Sequence, residues 1–108
     1  EGRPDEAVRL YNRLLEVRPQ HFRARNNLGA LLFARGDLTG AEDHLRKALA
    51  LKPDHAGAHT NLGAVLYKQG RLPESVAELT AATRLDPASV DARDNLAAAR
   101  AALAKRPR

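Results

Sequence analysis

Apolar residues return every three to four positions along this chain, and the pattern is interrupted at regular intervals. Leu28, Leu31 and Leu32, followed by Leu38, Leu45 and Leu49, fall on single faces of helices with 3.6 residues per turn. Pro19, Pro53 and Pro87 lack the N–H that a helix interior needs, so each closes a segment. Gly36 and Gly70 divide the segments where a helix C-terminus takes a left-handed residue. These breaks predict helices over 4–17, 22–35, 38–51, 56–69, 72–85 and 90–104, joined by short turns. Asp54 and Ser89, just past two of the prolines, are the expected N-caps of the helices that follow.

The interruptions are periodic because the sequence repeats. Residues 22–55 align with 56–89 without a gap and share 12 of 34 positions, enough to mark an internal duplication. The shared positions include Ala24/Ala58, Asn27/Asn61, Leu28/Leu62, Gly29/Gly63, Leu32/Leu66, Leu45/Leu79, Ala48/Ala82 and Pro53/Pro87. Partial copies flank the two units. Gly2, Ala7 and Pro19 fall in register upstream, and Ala92, Asn95, Leu96 and Ala98 downstream. The expected organisation is one domain over 1–108: a second helix of a truncated repeat (1–21), two repeats (22–55 and 56–89), and a capping helix with a basic tail (90–108).

A helix pair every 34 residues, with Asn-Leu-Gly in the first helix and a Gly between helices, resembles the tetratricopeptide repeat family. Ala48/Ala82 and the terminal Pro53/Pro87 strengthen the resemblance. It implies an all-α superhelix, a solenoid of antiparallel helix pairs. Two positions depart from the family pattern. Its frequent aromatic near the start of the unit is replaced by Arg25 and His59, and its usual Ala early in the second helix is Ser75 in the second copy. The small residues Gly29, Gly63, Ala48 and Ala82 suit helices packed at the close end of the ~8–10 Å range.

Composition agrees with helix and disfavours sheet: 21 Ala and 17 Leu stand against 5 Val, no Ile and four aromatics. The longest apolar run, Leu28 to Ala34, is far short of the ~20 residues of a membrane span. No signal peptide is recognisable. The cytoplasm is the default expectation, although the lack of cysteine does not itself fix a compartment. The net charge of +5 is split between 21–52 and 87–108 and interleaved with acids, unlike the single basic face of a nucleic-acid binder. Neither nucleic acid nor a membrane is an expected partner.

Catalytic patterns are lacking. Ser75 and Ser89 sit in no nucleophile turn, and no Gly-rich phosphate loop occurs. His55 and His59 are four apart, but no third ligand stands beside them, so neither metal nor other cofactor is expected. Glu42-Asp43 and Asp91/Asp94 read as solvated helix surface.

The resemblance turns attention to surface, since the family lines its concave side with the first helix of each pair. The candidate peptide-binding residues on those helices are Arg23, Asn26, Asn27 and Phe33, then Thr60, Asn61, Tyr67 and Lys68, then Asn95. Asn27, Asn61 and Asn95 lie 34 residues apart. An Asn side chain offers both a donor and an acceptor to a peptide backbone. At roughly 10 Å spacing, one Asn would meet every third peptide unit of an extended chain. A similar ladder holds substrate peptides in the repeat domain of O-linked N-acetylglucosamine transferases. The same Asn could instead bond a neighbouring helix and set superhelical pitch. The family's clamp for chaperone C-termini is poorly matched: its slots hold Asn26, Ala30, Asn61, Asp91 and Asn95, and Asp91 repels a carboxylate.

The expected function is therefore a non-catalytic protein-interaction module with a protein or peptide partner. The alternatives are a structural self-assembly module and the repeat region of a larger transferase. Self-association as a homodimer is expected through Val8, Tyr11 and Leu15, because the first helix lacks the partner that would cover that stripe. Arg100, in a slot that holds Leu32 or Leu66 in the earlier copies, marks helix 90–104 as a solubilising cap.

Overall fold

A computed structural model describes residues 3–107. It contains α1 (Arg3–Val17), α2 (Phe22–Ala34), α3 (Leu38–Leu51), α4 (Ala56–Lys68), α5 (Leu72–Leu85) and α6 (Val90–Ala104), with no strand among the described residues. Each helix lies within one residue of its expected span. The chain forms two compact units, Glu1–Pro53 with α1–α3 and Asp54–Arg108 with α4–α6.

In the first unit, α2 packs against α3 along its length and against α1 on another side. Ala24 and Leu28 of α2 meet Leu15 of α1, with Val8, Tyr11, Leu14 and Leu32 closing around them. This corrects the expectation of an open stripe at Val8, Tyr11 and Leu15. The second helix of one repeat is covered by the first helix of the next, so Leu15 is only 7% exposed and Val8 and Tyr11 are half-buried. The apolar side chains that α1 does leave in water are Leu10 and Val17, 64% and 78% exposed.

In the second unit, α5 packs against both α4 and α6, and α6 also touches α4. Leu79 of α5 shares a cluster with Leu96 and Ala99 of α6, flanked by Val76. Ser75 is fully buried, and its hydroxyl donates to the Gly63 carbonyl at 2.7 Å. Its departure from the family's Ala therefore leaves no orphaned polar group, because the added oxygen binds the facing helix.

The turns inside the two pairs are copies of one another. Gly36 and Gly70 adopt φ of 85° and 78°, which L side chains disfavour. Around them Asp37 N bonds Leu32 O (2.8 Å) and Gly36 N bonds Phe33 O (3.0 Å), as Arg71 N bonds Leu66 O (2.9 Å) and Gly70 N bonds Tyr67 O (3.0 Å). This is the Schellman pattern, which satisfies the last carbonyls of the helix and reverses the chain.

Helix starts are capped less uniformly. Ser89 caps α6 as expected, accepting from Ala92 N at 3.2 Å. The cap of α4 is His55 and not Asp54: its Nδ1 accepts from Ala58 N at 3.0 Å, and Asp54 stands one residue too early. His21 does the same for α2, accepting from Ala24 N at 3.1 Å. Asp37 caps α3 through Gly40 N. α5 has no side-chain cap, but carries Pro in its first turn, and Arg71 clasps Glu74 with two bonds of 2.9 Å.

The helix pairs are held close by a missing side chain. A Cβ on Gly29 would lie 2.6 Å from Leu45 Cγ, and one on Gly63 would come within 2.7 Å of Leu79 Cδ2. Gly63→Ala should therefore destabilise the fold by about 1–3 kcal/mol through overpacking, against the gain in helix propensity that Ala brings elsewhere. Urea unfolding followed by circular dichroism measures it, and an unchanged midpoint would contradict this packing.

Candidate peptide-contact face

On α4, Ala58, Leu62, Gly63, Val65 and Leu66 are buried, which turns Thr60, Asn61, Tyr67 and Lys68 to another side of the same helix. Tyr67 is 38% exposed and Lys68 is exposed, while Thr60 and Asn61 are half-buried. Thr60 Oγ1 donates back to Ala56 O at 3.1 Å, so its proton is used internally and the oxygen can only accept from a ligand. Asn95 occupies the matching position on α6, half-buried one residue before the buried Leu96. These five residues belong to the second unit. In the first unit, Arg23, Asn26, Asn27 and Phe33 project from α2, with Arg23 and Asn27 exposed and Asn26 and Phe33 half-buried.

The three Asn differ in their engagement. Asn27 and Asn95 make no side-chain hydrogen bond among the described residues, whereas Asn61 interacts within the chain. Arg23 places its guanidinium carbon 5.5 Å from the centroid of the Phe22 ring, and Lys52 brings its ammonium equally near. Phe22, which the sequence reading did not single out, is thus an aromatic platform holding two cations in place. Its signal was an aromatic directly beside Arg23 at the helix start.

The sequence reading also missed a pair of cross-helix contacts. Arg25 Nη1 of α2 lies 3.2 Å from His44 Nδ1 of α3, and His59 Nδ1 of α4 lies 2.7 Å from Glu78 Oε1 of α5. Both pairs span 19 residues, and Arg25 and His59 share one repeat position as His44 and Glu78 share another. The slot where the family often carries an aromatic here carries a polar pair of changing identity. Arg25 is further held by Pro19 O, which accepts from Nε at 3.3 Å and from Nη2 at 3.2 Å. No group of three or more His, Asp or Glu able to hold a metal occurs among the described residues, and none of the described helices is long and apolar enough to cross a membrane.

Helix pairs repeated at 34 residues, with small residues at the pair contact and Schellman turns at Gly36 and Gly70, define an α-helical repeat protein. The chain belongs to the tetratricopeptide repeat family, whose profiles match residues 1–56 and 32–105. Solved structures share the fold. The first repeat domain of Spaghetti (RPAP3), bound to the HSP90 peptide SRMEEVD, superposes with a TM-score of 0.92 at 24% identity, over 96% of this chain and 82% of that one. The first such domain of human RPAP3 gives 0.90 at 24% identity, over 95% and 81%. MamA gives 0.90 at 23% identity, over 96% of this chain and 61% of that one. Curated protein sequences yield no match.

Burial, and secondarily the Arg25 charge, lower the pKa of His44 below its ordinary 6.5. The folded state then binds fewer protons than the unfolded chain, so this contribution to stability is complete above about pH 6.5 and is lost as pH falls through the lower, folded value. A His44→Gln variant should lose stability less steeply than the wild type as pH falls below about 6.5. Equal slopes in urea titrations at several pH values would contradict the burial of the imidazole against Arg25. Removing a cap should also destabilise the fold: His55→Ala should lower stability by about 0.5–2 kcal/mol at pH 8, read from the same unfolding curves.

Proposed function

We propose that this chain is a non-catalytic protein-interaction module that captures an extended peptide segment with the first helices of its repeats. The observation that carries this reading is the recurrence of Asn27, Asn61 and Asn95 at 34-residue spacing on α2, α4 and α6, with Asn27 and Asn95 making no side-chain hydrogen bond among the described residues. A free carboxamide on a helix surface offers a donor and an acceptor to a passing peptide unit, and it does so whatever the ligand's side chains are. Phe33 and Tyr67 add apolar contact, and Arg23 and Lys68 supply positive charge at the edges. The peptide held by the Spaghetti domain supports a peptide as the class of ligand. Its two consecutive Glu and terminal Asp do not suit the exposed Asp91 and Asp94 at the start of α6. We therefore place the preferred ligand outside the acidic chaperone tails.

The competing reading, that the Asn side chains tune helix packing, is favoured by one observation, the engagement of Asn61 within the chain. The two readings separate experimentally. Extended peptides selected from a random 12-residue display library against the 108-residue chain provide the probe. Each lost hydrogen bond is worth about 0.5–1.5 kcal/mol, so the triple variant Asn27→Ala, Asn61→Ala, Asn95→Ala should bind such a peptide roughly 10- to 1,000-fold more weakly. Unchanged affinity with intact helicity would assign the Asn residues to packing.

A further inference from the structure

The two complete helix pairs carry the same cross-helix contact built from different chemistry. Arg25 and His59 share one repeat position, and His44 and Glu78 share the other. Arginine has only donors, so the 3.2 Å contact of Arg25 Nη1 with His44 Nδ1 requires Nδ1 to accept. The imidazole on α3 is then neutral, with its hydrogen on Nε2. An ionised carboxylate only accepts, so the 2.7 Å contact of His59 Nδ1 with Glu78 Oε1 requires Nδ1 to carry the hydrogen.

A proton added to each histidine therefore acts in opposite directions. On His44 it lands on Nδ1, removes the acceptor and sets a second cation against the guanidinium. On His59 it lands on Nε2, leaves the bond to Glu78 in place and makes it charge-assisted on both sides. Arg25 cannot swing clear of a protonated His44 without loss, because its Nε and Nη2 are both bound to Pro19 O, at 3.3 and 3.2 Å. The other charges around His44 give little relief. Within the first unit α2 is the helix packed against α3, and it supplies Arg25. On α3 itself Lys47 adds repulsion and Asp43 is paired with Lys47 at 3.1 Å, while Asp37 accepts from Gly40 N at the cap. Burial first, and the Arg25 charge next, hold the His44 imidazole below its ordinary pKa of 6.5.

We propose that the first unit is acid-responsive: protonation of His44 against Arg25 loosens α2 from α3 and weakens the hold of α2 on a bound segment, while the second unit, with a carboxylate in the His44 position, stays closed. Asn27 and Phe33 lie on α2, so the helix that loosens is the one that carries the first unit's candidate contacts. The effect on a ligand rests on the peptide reading above, whereas the opening of the helix pair does not.

Amide hydrogen exchange of the 108-residue chain, corrected for the intrinsic pH dependence of exchange, reads the opening of each helix pair between about pH 7.5 and about pH 5. As pH falls below about 6.5, the opening constant of α2 and α3 should rise by up to about tenfold per pH unit, the limit for one proton. That of α4 and α5 should not follow. His44→Gln keeps an acceptor for Arg25 without a titrating ring and should remove the rise. The double variant His59→Arg, Glu78→His transplants the first unit's pair into the second and should make α4 and α5 acid-responsive; if circular dichroism shows it unfolded, His44→Gln alone decides. A peptide selected as above and free of His, Asp and Glu should bind the wild type several-fold more weakly at about pH 5 than at about pH 7.5, and His44→Gln equally at both. Acceleration that is equal in the two units, or unaltered by His44→Gln, overturns the switch. Selective acceleration with an affinity that does not follow pH overturns the coupling to the ligand and leaves the peptide reading to the triple Asn variant.

Discussion

Everything else in the structure depends on how closely the two helices of a pair approach. Leu45 and Leu79 lie where a Cβ on Gly29 or Gly63 would have to be, so each leucine rests on backbone rather than on another side chain. Such an approach maximises close contacts across the pair, and the leucines are fully buried as a result. It also fixes the rotation of each helix. Once Gly29 faces α3 and Gly63 faces α5, the positions one hundred or more degrees around the helix, among them Asn27 and Asn61, are turned away from that contact. The surface that carries the candidate chemistry is thus a consequence of the surface that packs.

Around this fixed contact the repeats vary in ways that preserve local satisfaction. The cross-helix slot holds Arg with His in one pair and His with Glu in the other. The capping position one residue before the first helix is His, His and then Ser at 21, 55 and 89, each accepting from the N–H three residues on. Ser75 replaces an Ala and bonds the carbonyl of Gly63. No buried side-chain nitrogen or oxygen among the described residues lacks a partner, which is the condition for polar substitutions inside a packed repeat to be tolerated. All four histidines thereby serve the architecture, two as caps and two in cross-helix pairs, which accounts for them without a metal.

The first and last helices differ in the surfaces they expose. α6 presents Arg93, Ala97 and Arg100 to water in slots that hold packing residues elsewhere, so its outer side is solvated by charge. α1 instead leaves Leu10 and Val17 exposed among Glu6 and the arginines around them, a mixed apolar and charged surface.

The 34-residue period, the prolines and the two mid-unit glycines determined the six helices and their ends to within a residue, because each break removes a donor or demands a left-handed backbone. Asn27, Asn61 and Asn95 were equally legible, since a residue repeated in register needs no coordinates to be noticed. What only the tertiary structure decided was which side chains meet. The cap of α4 fell to His55 because its ring nitrogen, and not the Asp54 carboxylate, reaches Ala58 N; the identity of His21 and His55 at the repeat spacing was the overlooked sign. Leu15 proved to be core and Leu10 surface, although both look apolar in the sequence, because α2 crosses one side of α1 and not the other. Periodicity reports that a helix has an apolar stripe. Which part of the stripe is covered depends on where the neighbouring helix lies, and that is fixed by the close approach at the glycines and by the turns that aim each helix.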